Sequence, residues 1–359
     1  MKVLHVEAGR HLYGGARQVA YLLPALSKHS VESVLVCPPG AAIAGAMSKQ
    51  CQVIETPMGG DLDLRFIGRL RKIIREQKPD LVHLHSRRGA DTLGAIAAQL
   101  EGVRCVVSRR VDNPEPRWLV PFKYRFYDHV ITISEGIARV LRDCGVDDAK
   151  ITCVRSALDA SEYDLPADKS WFCDEFDLVE GDLTIGVVAQ LIPRKGHRYL
   201  LAAMPTLLEQ FPRLNVLFFG QGPLEAELAA AAAEFGDHVR LVGFRDDLPR
   251  VLPNLDLLVH PADREGLGVS LIQAAAAGVP IVASRAGGMP EIVRDGLNGF
   301  LIQPGDVEEL AHKISMLLAK SDVRCSMGVA GRDLVQAEFS VAAMAKGNLD
   351  VYRRVLVGP

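Results

Sequence analysis

Residues 183–219 read LTIGVVAQLIPRKGHRYLLAAMPTLLEQFPRLNVLFF. An apolar run, Leu183–Ala189, passes into a cationic turn; a helical pattern fills His197–Gln210; a second apolar run, Asn215–Phe219, follows. Runs this apolar, without polar alternation, are what strands covered on both faces require. Strand and helix in alternation predict a parallel sheet flanked by helices.

The same alternation continues outward. Toward the C-terminus, strands are predicted at Val239–Val242, Leu255–His260, Pro280–Ala283 and Phe300–Ile302, with helices at Leu224–Glu234, Val269–Ala277 and Val307–Ala319. Toward the N-terminus, strands are predicted at Val3–Val6, Ser33–Cys37, Leu81–His85, Val103–Ser108 and His129–Ile133, with helices at Ala16–Lys28, Phe66–Gln77, Ala90–Leu100 and Glu135–Asp143. Between the halves, SEYDLPADKSWFCDEFDLVEGD (161–182) is acidic and turn-rich and reads as a joining region. The pattern therefore predicts two doubly wound α/β domains, over 1–165 and 180–340. The last helical patterns, Val323–Ala337 and Val341–Leu356, have no strand after them.

The 359 residues suit two domains, and a 48 % hydrophobic composition supplies two cores. A net charge of −3 gives no reason to expect nucleic acid. The charge is uneven: residues 1–142 hold 21 Lys+Arg against 13 Asp+Glu, net +8, and the remainder 20 against 31, net −11. Such asymmetry points the first half toward an anionic partner, although an ordinary solvated surface accounts for it equally well. The seven cysteines are scattered with no C-x-x-C pair, as in a reducing compartment. No signal peptide or apolar stretch of membrane-spanning length is visible, so a cytoplasmic protein, at most peripheral to the inner face of a membrane, is expected.

In open α/β sheets, ligands sit beyond the C-terminal ends of strands. After the first strand, Gly14-Gly15 precedes a helix, a place where backbone N–H groups meet anions. No G-x-G-x-x-G follows, which argues against a dinucleotide-dependent oxidoreductase. His83 and His85 share one face of a strand, with His85 at its C-terminal end. A third metal ligand at useful spacing is not evident, so no metal is expected. After Leu183–Ala189 come Gln190, Arg194, Lys195 and Gly196, with cations suited to a diphosphate. The segment from Glu265 through Gly266, Leu267, Gly268 and Val269 to Gln273 places a carboxylate and glycines at a helix start, and Gly287–Glu291 forms a second glycine loop. A carboxylate for sugar hydroxyls beside donors for phosphate is what a nucleotide sugar requires.

The Glu265–Ser284 stretch, with Gly287–Glu291 and Asn298–Phe300, resembles the donor signature of family 4 retaining glycosyltransferases. The resemblance extends to Gly14-Gly15, His83–His85, Arg194–Gly196, Gly220–Pro223 and the final helix. It implies a GT-B fold: two Rossmann-like domains facing across a cleft, acceptor in the first and donor in the second, with a C-terminal helix (341–359) returning to the first. It also implies a metal-independent, cofactor-free enzyme. Lys195 would contact the donor diphosphate, Glu265 the transferred sugar, and the backbone of Gly266–Val269 sugar and phosphate. Gln273 would contact the ribose, Gly14, Gly15, Gln190, Arg194 and Gly222 the rest of the donor, and His85 the region of the reacting carbon. The family's glutamate at 273 and arginine at 190 are both glutamine here. The segments His85–Asp91 and Ser108–Asp112 resemble bacterial enzymes of lipopolysaccharide core or surface polysaccharide synthesis. Arg87, Arg88, Arg109 and Arg110 would then meet a glycan or phosphorylated glycolipid acceptor beside an anionic membrane surface. The donor would be a UDP-, GDP- or dTDP-sugar. The rival readings are a catalytically silent nucleotide-sugar-binding module and an inverting transferase or epimerase on the same fold.

Overall fold

A computed structural model describes residues 1–12, 14–85 and 89–358. They divide into two compact units, one of residues 1–157 with 340–359, the other of residues 158–339.

Among the described residues, the first unit is built on a seven-stranded sheet: β1 (Lys2–Val6), β2 (Glu32–Cys37), β3 (Gln52–Glu55), β4 (Leu81–Leu84), β5 (Arg104–Arg109), β6 (His129–Thr132) and β7 (Ile151–Cys153), in the order 3-2-1-4-5-6-7. The second carries six: β8 (Leu183–Val188), β9 (Leu214–Phe219), β10 (Val239–Gly243), β11 (Leu257–His260), β12 (Ile281–Ser284) and β13 (Gly299–Ile302), in the order 10-9-8-11-12-13. The named strand pairs are parallel. Both sheets reverse direction next to their first strand, between β1 and β4 and between β8 and β11, which is where a doubly wound sheet opens a crevice.

Alternation along the strands separates two core layers in the first unit. Leu4 and Val6 face one layer with Val82 and Leu84. Val3, Leu35, Leu81 and Val106 face the other, which is covered by Val19, Leu22 and Leu26 of helix Gly14–Ser27 and by Leu349, Tyr352 and Val355 of helix Val341–Val357. The C-terminal helix thus returns to the first unit and completes one face of its core. In the second unit Ile185, Val187, Val216, Phe218, Leu257 and Val259 pack against Leu200, Met204, Leu207, Leu310 and Ile314 of helices His197–Gln210 and Val307–Leu318.

The acidic stretch expected to join the halves belongs to the second unit instead. Helix Lys169–Glu175, capped by Asp168, buries Phe172 and Phe176 in aromatic contact, and Phe176 meets Phe219 edge-on. Its surface acids conceal apolar anchors too few to register as a helical stripe. The edge strands β3 and β7, each of four residues or fewer, also escape the sequence pattern. No helix among the described residues is long and apolar enough to cross a membrane.

Candidate active site

In the second unit the loops after β8 and β11, on either side of the switch point, bring Lys195 and Glu265 together. The Lys195 ammonium is ion-paired with the Glu265 Oε2. His260, the last residue of β11, lies with Nε2 3.2 Å from the same oxygen, and the Gly266 N–H donates to Oε1 at 3.1 Å. Burial raises the Glu265 pKa, but the His260 hydrogen bond and the Lys195 charge outweigh it and hold the carboxyl at about 2. Glu265 is therefore an acceptor only. Burial keeps the His260 imidazole below the ordinary histidine range, hence neutral, so its Nε2 carries the proton donated to Glu265.

Backbone contacts lock this arrangement. The Asp263 N–H donates to the Arg194 carbonyl at 2.9 Å, and the Gly288 N–H to the Glu265 carbonyl at 3.1 Å. Gly196 (φ +72°) lies so close to the second loop that a Cβ would stand 1.9 Å from the Pro261 oxygen; at Gly287 (φ +56°) it would stand 1.7 Å from the Glu265 oxygen. Only glycine fits either place. At Gly222 a Cβ would lie 2.4 Å from the Leu191 carbonyl, so this glycine serves loop-to-loop packing. Arg194 and Gln190 are exposed at the rim.

Helix Val269–Ala276 starts directly behind Glu265. Its N-cap, Gly268, makes no side-chain cap, and its first turn holds no acid, which suits an anion at that end. Val269 is exposed, whereas Leu267 is buried, which leaves only the Leu267 backbone for a ligand. Gln273 donates through Nε2 to the Tyr163 hydroxyl at 2.6 Å.

In the first unit, His5 on β1 is in register with His83 on β4, on the sheet face covered by the C-terminal helix. His83 binds the Tyr352 hydroxyl through Nδ1 (2.6 Å) and the Ser108 hydroxyl through Nε2 (2.8 Å). His85 is only 2 % exposed; its Nε2 meets His5 Nδ1 at 3.0 Å, and Arg110 Nη2 approaches its Nδ1 at 3.5 Å. Arg110 is always a donor, so His85 carries its proton on Nε2 and passes a hydrogen bond to His5. Burial pushes all three imidazoles below the ordinary value, His5 to about 3. His85 is thus a buried network member behind the partly exposed Arg110, and the geometry favours a structural place for it as well as for His83.

The third imidazole that the sequence did not reveal is His5. Its ligand nitrogen lies within 4.8 Å of those of His83 and His85, a spacing a transition metal can bridge. Both His83 nitrogens are already taken by hydroxyls, so the arrangement closes as a hydrogen-bond network. Gly14 and Gly15 open helix Gly14–Ser27, and Gly15 leaves room for Arg110, whose Cδ would lie 3.3 Å from an added Cβ. Arg109 is buried and held by its own loop: it donates to Glu115 (2.6 Å) and to the carbonyls of Val111 and Asn113, three of its five N–H groups, which turns it toward that loop. Arg87 and Arg88 lie outside the described residues. Besides His5, sequence reasoning missed His260 and Tyr163. His260 was visible as the last residue of an apolar run ending at the ligand side, whereas Tyr163 is brought to Gln273 only by tertiary folding.

Residues 173–334 match the glycosyl transferases group 1, and residues 13–162 match glycosyltransferase family 4. A 2-deoxystreptamine glucosyltransferase of Streptomyces kanamyceticus is 30 % identical over 309 residues, covering 79 % of this chain and 80 % of its own. The lipopolysaccharide core biosynthesis glycosyltransferase LpsE of Rhizobium meliloti is 24 % identical over 363 residues, 98 % of each chain. Among solved structures, a glycosyltransferase from Rickettsia africae superposes with TM-score 0.88 at 19 % identity, covering 100 % of this chain and 99 % of its own. Anabaena Alr3699/HepE, in complex with UDP, superposes with TM-score 0.86 at 20 % identity, covering 98 % and 100 %.

Proposed function

The chain belongs to the family 4 glycosyltransferases, with the GT-B fold, and from that premise we propose that it is a retaining, metal-independent enzyme moving a hexose from a nucleotide sugar to a glycan or glycolipid acceptor. The observation that carries the proposal is the Lys195–Glu265 pair at the switch point, beside the uncapped start of helix Val269–Ala276. Lys195 takes the donor diphosphate with Arg194 at the rim, the helix start adds its N–H groups, and Glu265 accepts from sugar hydroxyls. These cationic groups and the helix N–H groups stabilise the leaving diphosphate, the work a metal ion does elsewhere. The bond from the anomeric carbon to the diphosphate oxygen breaks and its electron pair leaves with the diphosphate. The acceptor oxygen bonds the same carbon on the same face, and its proton passes to the departing diphosphate. His85, buried in its network, has no direct part in this scheme.

Two of the relatives support the donor and acceptor classes: HepE binds UDP, and LpsE acts in lipopolysaccharide core synthesis. The acceptor is accordingly a lipopolysaccharide core or surface polysaccharide intermediate, handled at the cytoplasmic face of a membrane. An exposed strip supports that placement: Trp118 and Phe122 are 72 % and 58 % exposed, and Arg125 sits 4.7 Å from the Phe126 ring centroid. Aromatic and arginine side chains of this kind suit an anionic interface. Liposome sedimentation at low salt is expected to recover the protein with anionic but not neutral lipid; recovery with neither removes the membrane from the proposal.

The decisive experiment is a thermal-shift screen of UDP-, GDP- and dTDP-sugars, followed by transfer assays with and without EDTA and NMR of the product anomer. A retained anomer formed in EDTA supports the proposal. An inverted product overturns the mechanism. Binding without turnover over the panel favours a silent binding module, the reading that Gln190 and Gln273 motivate.

A further inference from the structure

Glu265 and Lys195 satisfy each other, yet the proposed reaction needs both for the donor. A largely buried carboxylate that loses its cation is costly, because the charge is left without compensation. The Glu265 carboxylate has two other donors that no ligand would remove: the Gly266 N–H on Oε1 and the His260 Nε2–H on Oε2.

We propose that His260 is a positioning residue that keeps the Glu265 carboxylate hydrogen-bonded and aimed when Lys195 leaves it for the donor diphosphate. This rests on reading the site as a donor site. His260 is suited to the task by its place at the rigid end of β11, its burial and its fixed proton. Its Nδ1 is buried and has no hydrogen-bond partner, so no competing contact turns the ring. Because the imidazole is neutral, it holds the carboxylate without adding a second positive charge that would compete with Lys195 for it. The ion pair is then a closed resting state that can open at low cost, and His260 sets that cost.

The test is a double-mutant cycle read by calorimetric titration of UDP, which engages Lys195 but offers Glu265 no sugar hydroxyl in exchange. His260→Leu is expected to weaken UDP binding about tenfold in the wild-type background, the size of one hydrogen bond to a charged group. In a Glu265→Ala background, where nothing remains to be held, the same change is expected to cost no more than about twofold. His260→Gln keeps an N–H at similar reach and is expected to restore most of the affinity. Should His260→Leu fail to fold, His260→Asn, whose amide falls short of the carboxylate, supplies the same comparison. Equal losses in both backgrounds, or no loss in either, overturn the role of His260 while leaving the donor site standing. Wild-type protein that binds none of UDP, GDP and dTDP overturns the donor site, and the role of His260 with it.

Discussion

Lys195 and Glu265, 70 residues apart in sequence, close an ion pair across the switch point of the second sheet, with side chains only 10 % and 15 % exposed. Pairing at that depth couples the two groups, so a change to either is felt in both stability and binding. Lys195→Ala is expected to lower unfolding free energy by about 1–3 kcal/mol, since Glu265 keeps its two neutral donors. The same variant is expected to lose donor binding and turnover together. Urea unfolding and UDP titration check both; unchanged UDP affinity would remove Lys195 from the diphosphate site.

Gly287→Ala tests the packing that holds Glu265. The added methyl would meet the Glu265 carbonyl at 1.7 Å in a backbone region that L-residues avoid. Destabilisation of more than about 2 kcal/mol is expected, with donor affinity falling further than for an alanine placed at an open glycine such as Gly296. Melting curves and UDP titration of the two variants provide the comparison, and equal behaviour would show that the loop contact is dispensable.

His197 opens helix His197–Gln210, buried edge-on against Phe218, and neither ring nitrogen has a hydrogen-bond partner. Burial lowers its pKa from 6.5 to about 4. The unfolded chain therefore binds a proton between pH 6.5 and about 4 that the folded chain refuses, and stability falls as pH falls through that window. At about pH 5 this one group costs about 2 kcal/mol relative to about pH 8. His197→Leu is expected to flatten the acid limb of stability against pH by that amount. Chemical unfolding at those two pH values measures it, and an unchanged slope would mean the imidazole is not buried neutral.

Gln273 donates to the Tyr163 hydroxyl, and a glutamate in its place would accept from that hydroxyl instead. Gln273→Glu is therefore expected to fold normally and to tighten UDP binding several-fold, because a carboxylate is a stronger acceptor for ribose hydroxyls. Weaker or unchanged binding by calorimetry would indicate that position 273 does not face the ribose.

The fold was legible where apolar runs were long and bounded by turn residues. The helix limits His197–Gln210, Ala90–Leu100 and Glu135–Asp143 read from the sequence agree with the structure. What escaped was short or half-buried: β3, β7 and helix Lys169–Glu175, whose anchors Phe172 and Phe176 stand among acids. At the site, Lys195 and Glu265 stood out because charged groups set among glycines at strand ends are poorly suited to packing and well suited to a polar ligand. Nothing in either strand alone reveals that His5 stands in register with His83, since register is a property of the sheet. Arg109 likewise looked like a free surface cation, although it is buried and its own loop folds back to engage three of its donors, the Glu115 carboxylate among the acceptors.

Helix Val341–Val357 supplies Leu349, Tyr352 and Val355 to the first unit, and Tyr352 binds His83. On the ribosome those residues emerge only after all of residues 158–339, so the earlier half must wait with Val19, Leu22 and a polar His83 uncovered while the later half is already whole. The core of the segment made first can therefore be completed only once the last helix has been made.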